Sequence, residues 1–214
     1  MVAELKVLLT GISVMLVLVI VFVNIADYAL YSTRRNLIAR GIDHSVCAAI
    51  QEIDIPSSKT GLSEGYDPDT GKILVNDIHL NEQYAESAFY ETLQANAGVK
   101  RTDIESNTLI VYIWPSTGGV NYLIKKESER HEGFVSSPDR LEAAINNAIG
   151  VLWDASDPGS DRHVIYVNGN PATNEFKKVP YFLVFIKNHE IDGLFRRRSA
   201  TFVGFAGARI RRQE

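Results

Sequence analysis

Hydrophobic positions along this chain fall into three regimes. From Val7 to Ile25, "VLLTGISVMLVLVIVFVNI", about 19 residues run without a formal charge, close to the roughly 20 that a helix needs to cross the hydrocarbon core of a bilayer. Further on, the apolar positions narrow to a stripe. Ile38, Ile42, Val46, Ile50 and Ile53 recur every three or four residues, with Ala39 and Ala49 alongside, while Arg40, Asp43, Gln51 and Glu52 fall mostly on other faces. That spacing is the 3.6-residue period of an amphipathic helix. No proline or glycine pair separates the two regimes. The pattern therefore predicts one continuous helix from about Leu5 to about Ile53, roughly 70 Å long at 1.5 Å per residue, ended by Pro56 with Ser57 and Ser58.

The exit from the apolar block reads "NIADYALYSTRR", placing Tyr28 and Tyr31 as interfacial aromatics and Arg34 and Arg35 as charged anchors. A cleaved signal peptide has a shorter apolar region with small residues at its exit, so a retained span is the expectation. The natural division is residues 1–33 as the transmembrane half of the helix and 34–214 as a globular head that includes the helix's outer half. A stripe that needs a partner makes the outer half a core element of that head, fixing head to span without a flexible linker.

The third regime mixes both periods. "PSSKTGLSEGYDPDTGK" is turn-rich and leads to a short strand, "KILV". Asn81 to Ala97 predicts a helix, with Asn81 as N-cap, Gly98 as the left-handed C-terminal residue and Tyr84, Ala88, Phe89 and Leu93 as its buried face. "NTLIVYIWPSTGGVNYLIKKE" reads as two strands around a turn. Ser137 and Pro138 open another helix running to about Trp153. "HVIYVNG" and two C-terminal strands follow, one nearly continuous in apolar residues from Tyr181 to Ile186, the other alternating through Phe202, Gly204 and Ala206. Helices and strands segregate more than they alternate. The predicted fold is α+β: the long N-terminal helix packed on an antiparallel sheet, with two further helices.

Composition narrows the function classes. The 214 residues carry a net charge of −4, so no global basic field points to nucleic acid. Basic clusters at Arg196–Arg198 and Arg209–Arg212 read as solvated faces, with phosphate or lipid binding as the alternative. Cys47 is the only cysteine, which excludes an internal disulfide and a cysteine-based metal site. His44, His79, His131, His163 and His189 are scattered, and none has metal-ligand spacing with another. Asp67, Asp69 and Thr70 belong to an Asp-Pro/Gly turn and lack the ligand series of a calcium loop. "DASDPGSDRH" gathers three aspartates and His163 in what reads as a loop. His44 and Cys47, one turn apart and on the side expected to face the head, read as a helix-surface pair. With no phosphate loop or nucleophile elbow, the expectation is a non-enzyme without metal or cofactor.

Polar residues near the span carry more. Asn24 and Asp27 are three apart and share a helical face. Asp27 marks the exit into headgroups or makes a polar contact with another subunit's helix. Glu4 is an acid just ahead of the span.

A long N-terminal helix, membrane-embedded first and then packed on an α+β head, resembles the type IV pilin-class subunits. More narrowly, "LIARGIDHSVCAAIQEID" after the span, the helix ending near "ANAGV" and the C-terminal "EIDGLF…ATFVGFAGARI" are similar to TadE/TadG-like pilin-related proteins of tight-adherence pili. The resemblance implies a structural subunit, major or minor, of an extracellular pilus-like filament. It also implies a head outside the cytoplasm, lipid contact before assembly, self-association through the N-terminal helix and handling by pilus assembly machinery. Glu4, Asn24 and Asp27 would then set register between packed helices. Prepilins of that class carry a basic leader ending in Gly, with Glu five residues into the mature chain. Gly11 has no such Glu after it, and Glu4 takes that place only if Met1 closely follows a removed leader or the chain is never processed. Arg34, Arg35 and Arg40 beyond the span outnumber Lys6 before it, which on the positive-inside rule puts the head in the cytoplasm. The competing reading is a single-pass membrane-anchored sensor or a component of an export or sporulation complex.

Overall fold

An α-helix satisfies its own backbone hydrogen bonds, so it runs unchanged from an apolar to an aqueous surrounding if no breaker intervenes. In the computed structural model, which describes residues 2–51, 66–67, 72–73, 81–116, 118–136, 140–141, 143–145, 147, 166–167, 170–171 and 180–207, helix α1 spans Val2–Gln51 without interruption. Two-residue strands β1 (Tyr66–Asp67) and β2 (Lys72–Ile73) pair with each other. Helix α2 covers Glu82–Ala97 and a single-turn helix α3 covers Arg101–Ile104. Strands β3 (Thr108–Ser116), β4 (Gly119–Lys126) and β5 (Glu129–Val135) form a meander. After the short pair β6 (Tyr166–Val167) and β7 (Asn170–Pro171) come two long strands, β8 (Tyr181–Asp192) and β9 (Arg197–Gly207). The main sheet is antiparallel, in the order β5-β4-β3-β8-β9, and the α+β expectation holds.

Both faces of the sheet are covered. On one, Ile110, Tyr112, Leu123, Phe182, Val184 and Phe202 meet α1 through Ile38, Ile42, Val46 and Ile50, and α2 through Phe89 and Leu93. On the other, Leu109, Val111, Ile113, Leu183 and Phe185 meet Leu141 and Ile145, which lie in the second predicted helix; the flanking Ser137, Pro138 and Trp153 lie outside the described residues, as does Ile53. Burial on both sides explains why Tyr181 to Ile186 reads as a continuous apolar run rather than an alternation. Each such side chain contributes about 1.5–3 kcal/mol. At β9 the helix comes so close that a Cβ on Gly204 would stand 2.6 Å from Ile42 Cγ2, so glycine here permits the contact that seats α1 on the sheet.

Caps and turns follow the sequence. The Asn81 side chain accepts the Tyr84 N–H and Gly98 adopts φ 69°. The buried face of α2 is rotated from expectation: Ala85, Glu86, Phe89, Tyr90 and Leu93 point inward, while Tyr84 is 63% exposed. The reason is a polar partner for Glu86, whose carboxylate accepts from Lys125 Nζ at 2.6 Å and from the Tyr112 hydroxyl at 3.3 Å. Burial pushes the Tyr112 hydroxyl far above the usual tyrosine range, so it serves as a neutral donor. The network pins α2 to the sheet.

Candidate functional site

The geometry bearing most directly on function lies where the head meets the foot of its helix. β8 and β9 continue as a two-stranded ribbon past the rest of the sheet. Their register shifts between Ile186 and His189, and Asn188 there has φ 52°. This extra residue on β8 reverses the parity of every side chain beyond it. Ile191, which would otherwise point away, is turned towards α1 and buried. β9 has no extra residue, so Arg198 stays on the face of Ala200, Phe202 and Ala206, which it shares with its cross-strand partner Ile191. Arg197 goes the other way and pairs with Asp192 at 2.8 Å.

The parity brings Arg198 onto Asp27. The Asp27 carboxylate is 2% exposed and accepts three hydrogen bonds. The Phe195 N–H donates to Oδ1 at 2.7 Å and the Arg196 N–H at 3.3 Å, while Arg198 Nη2 donates to Oδ2 at 3.0 Å. A Cβ on Gly193 would stand 2.4 Å from that same Oδ1, so only glycine lets the turn close over the carboxylate. The Gly193 N–H closes the turn on the Arg196 carbonyl at 2.7 Å. The Arg198 guanidinium lies 5.4 Å from the centre of the Tyr28 ring and 5.2 Å from that of Tyr31, within cation–π range. About two helical turns above Asp27, Arg34 donates to the Asp192 carbonyl at 2.8 Å. The β8–β9 turn thus clasps α1 at Asp27 to Arg34, and the head reaches below residue 34, into the stretch assigned to the transmembrane half.

Of the three residues expected to set register, Asp27 has hydrogen-bond partners within its own chain. Asn24 is exposed and its amide donates to the Ile20 carbonyl at 2.7 Å. Glu4 lies in α1 and its side chain falls outside the described ones; along the axis it is about 30 Å from Asn24. The three are not brought together within the chain. Sequence reasoning missed Arg198, Gly193 and the turn itself. The available signal was parity: the alternation through Phe202, Gly204 and Ala206, extended by two steps towards the start of β9, reaches Arg198. His44 and Cys47 are exposed on the surface of α1, a surface pair but not one facing the head as expected, because the stripe of Ile42, Val46, Ala49 and Ile50 takes that side. Among the described residues, no three His, Cys, Asp or Glu side chains group so as to hold a metal ion.

Below the clasp, every side chain from Leu5 to Phe22 is exposed, and α1 is long and apolar enough to span a membrane. No family model, curated protein or solved structure matches the chain.

Proposed function

We propose that the protein is a membrane-anchored structural subunit, with its head outside the cytoplasm, that assembles through its N-terminal helix into a pilus-like filament. The observation that carries this reading is the rigid junction. One helix supplies both an apolar rod with no partner in the chain and a core element of the head, and the Asp27 clasp locks the two where a tethered domain would have a linker. A rod fixed to its head transmits force and repeats its geometry from subunit to subunit. In the filament, the apolar surface first covered by lipid is covered by neighbouring helices, with Glu4 and Asn24 as polar markers of register.

The second reading, a single-pass sensor or export-complex component that stays in the membrane, draws on the span's circumference. Leu8, Leu9, Ile12, Met15, Leu16 and Phe22 are all exposed, as a lipid-facing surface allows. Sheared cell-surface material separates the two. Filaments by negative-stain imaging, with this chain identified in them by mass spectrometry, are the expected result. Protein confined to the membrane pellet of expressing cells, with no filaments, would contradict the filament reading and favour the second.

A further inference from the structure

The tip of the β8–β9 ribbon has the wrong residues for an ordinary turn. Tight connections between antiparallel strands favour Gly, Asn and Asp, yet here Gly193 is followed by Leu194 and Phe195, exposed by 54% and 68%. Neither contributes to the head's core, and the fold holds them outward. The turn is closed by the Gly193 hydrogen bond to Arg196 and fixed to the helix through the Phe195 and Arg196 amides on Asp27. The apolar pair is therefore presented in one conformation.

Its level along α1 identifies what it meets. Gly204 packs at Ile42 and Val46 and Arg198 at Asp27, Tyr28 and Tyr31, so β9 climbs away from the span as α1 does, and the turn is the span-proximal tip of the head. Asp27 follows Ile25, the last residue of the apolar block, by only about 3 Å of helix rise. Exposed Tyr28 lies at the same level, and exposed Arg196 borders the apolar pair. Aromatic and apolar groups flanked by arginine suit the boundary between acyl chains and phosphates.

We propose that the β8–β9 turn is a second membrane contact, in which Leu194 and Phe195 enter the headgroup–acyl boundary and Arg196 meets the phosphates of anionic phospholipid. This rests on reading the first half of α1 as a bilayer span. The contact would stop the head from tilting about its helix and hold every subunit at one height before assembly.

The test uses the full chain with Cys47→Ser, reconstituted into phosphatidylcholine/phosphatidylglycerol vesicles. A nitrobenzoxadiazole fluorophore is placed in turn at Phe195→Cys, Val17→Cys and Phe134→Cys, the last an exposed position on β5. Nitroxide-labelled lipids then report depth. The Phe195→Cys label should be quenched several-fold more by a nitroxide near the headgroups than by one deep in the chains, the Val17→Cys label should show the opposite order, and the Phe134→Cys label neither. Quenching at Val17→Cys but not at Phe195→Cys overturns the turn contact and leaves the span standing. No quenching at either overturns both. Arg196→Glu should reduce quenching at Phe195→Cys by about twofold in anionic vesicles; an unchanged signal removes the phosphate contact.

Discussion

The two halves of α1 share one backbone and answer to different surroundings. From Leu5 to Phe22 every side chain is exposed and none packs against the head, whereas from Ile38 to Ile50 a single stripe is buried and the opposite side, with Arg40, Asp43 and His44, is wet. A soluble monomer rarely shows a contiguous apolar patch beyond a few hundred Å², so the first half calls for lipid or other helices while the second is satisfied by its own head. The difference teaches that helical continuity says nothing about environment; side-chain pattern does. Between the halves, the change of partner is managed by an acid, Asp27, that belongs to the helix but is bonded by the head.

Substitutions of like size make that contrast measurable. Ile42→Ala removes a buried side chain between α1 and the sheet and should destabilise the head by about 2–5 kcal/mol, whereas Ile12→Ala in the exposed half should change the head's stability by less than about 0.5 kcal/mol. Denaturant unfolding of the head in detergent checks both, and equal effects would erase the distinction. Gly204→Val should cost about 1–3 kcal/mol by forcing α1 away from β9, with no change in membrane partitioning; a neutral result would mean the helix is not seated there. The smallest effect belongs to His189 on the ribbon, whose pKa burial holds below the usual value of 6.5. The unfolded chain then takes up the proton first as pH falls, so stability declines from about pH 6.5 downward. His189→Gln should remove that part of the acid sensitivity, seen as a melting temperature that falls less between pH 7 and pH 5.5.

Much of the fold was legible because pattern and burial coincide. The stripe from Ile38 to Ile50, the double-faced run of β8 and the caps of α2 all follow from local chemistry. β5 escaped notice because "ERHEGFV" exposes most of its side chains and is held to β4 by backbone pairing. Tyr84 was expected inside because periodicity ranks apolar area. It does not foresee that Lys125 and Tyr112, distant in sequence, make Glu86 the buried residue. The clasp was hardest to read. Asp27 was visible as an unusual acid, but its partners, the Phe195 and Arg196 amides and the Arg198 guanidinium, come from a turn about 170 residues away, and no local pattern links that turn to the helix.

Hydrogen exchange through the junction, on the full chain in a bilayer, tests the central claim most directly. A rigid rod-and-head predicts that amides from Tyr28 to Leu37 exchange as slowly as those from Ile38 to Ile50, and that Asp27→Ala selectively speeds exchange at Phe195 and Arg196, whose N–H groups it holds. Rapid, unprotected exchange from Tyr28 to Leu37 in the unaltered chain would contradict the account, because it would mean that a flexible linker joins the span to the head.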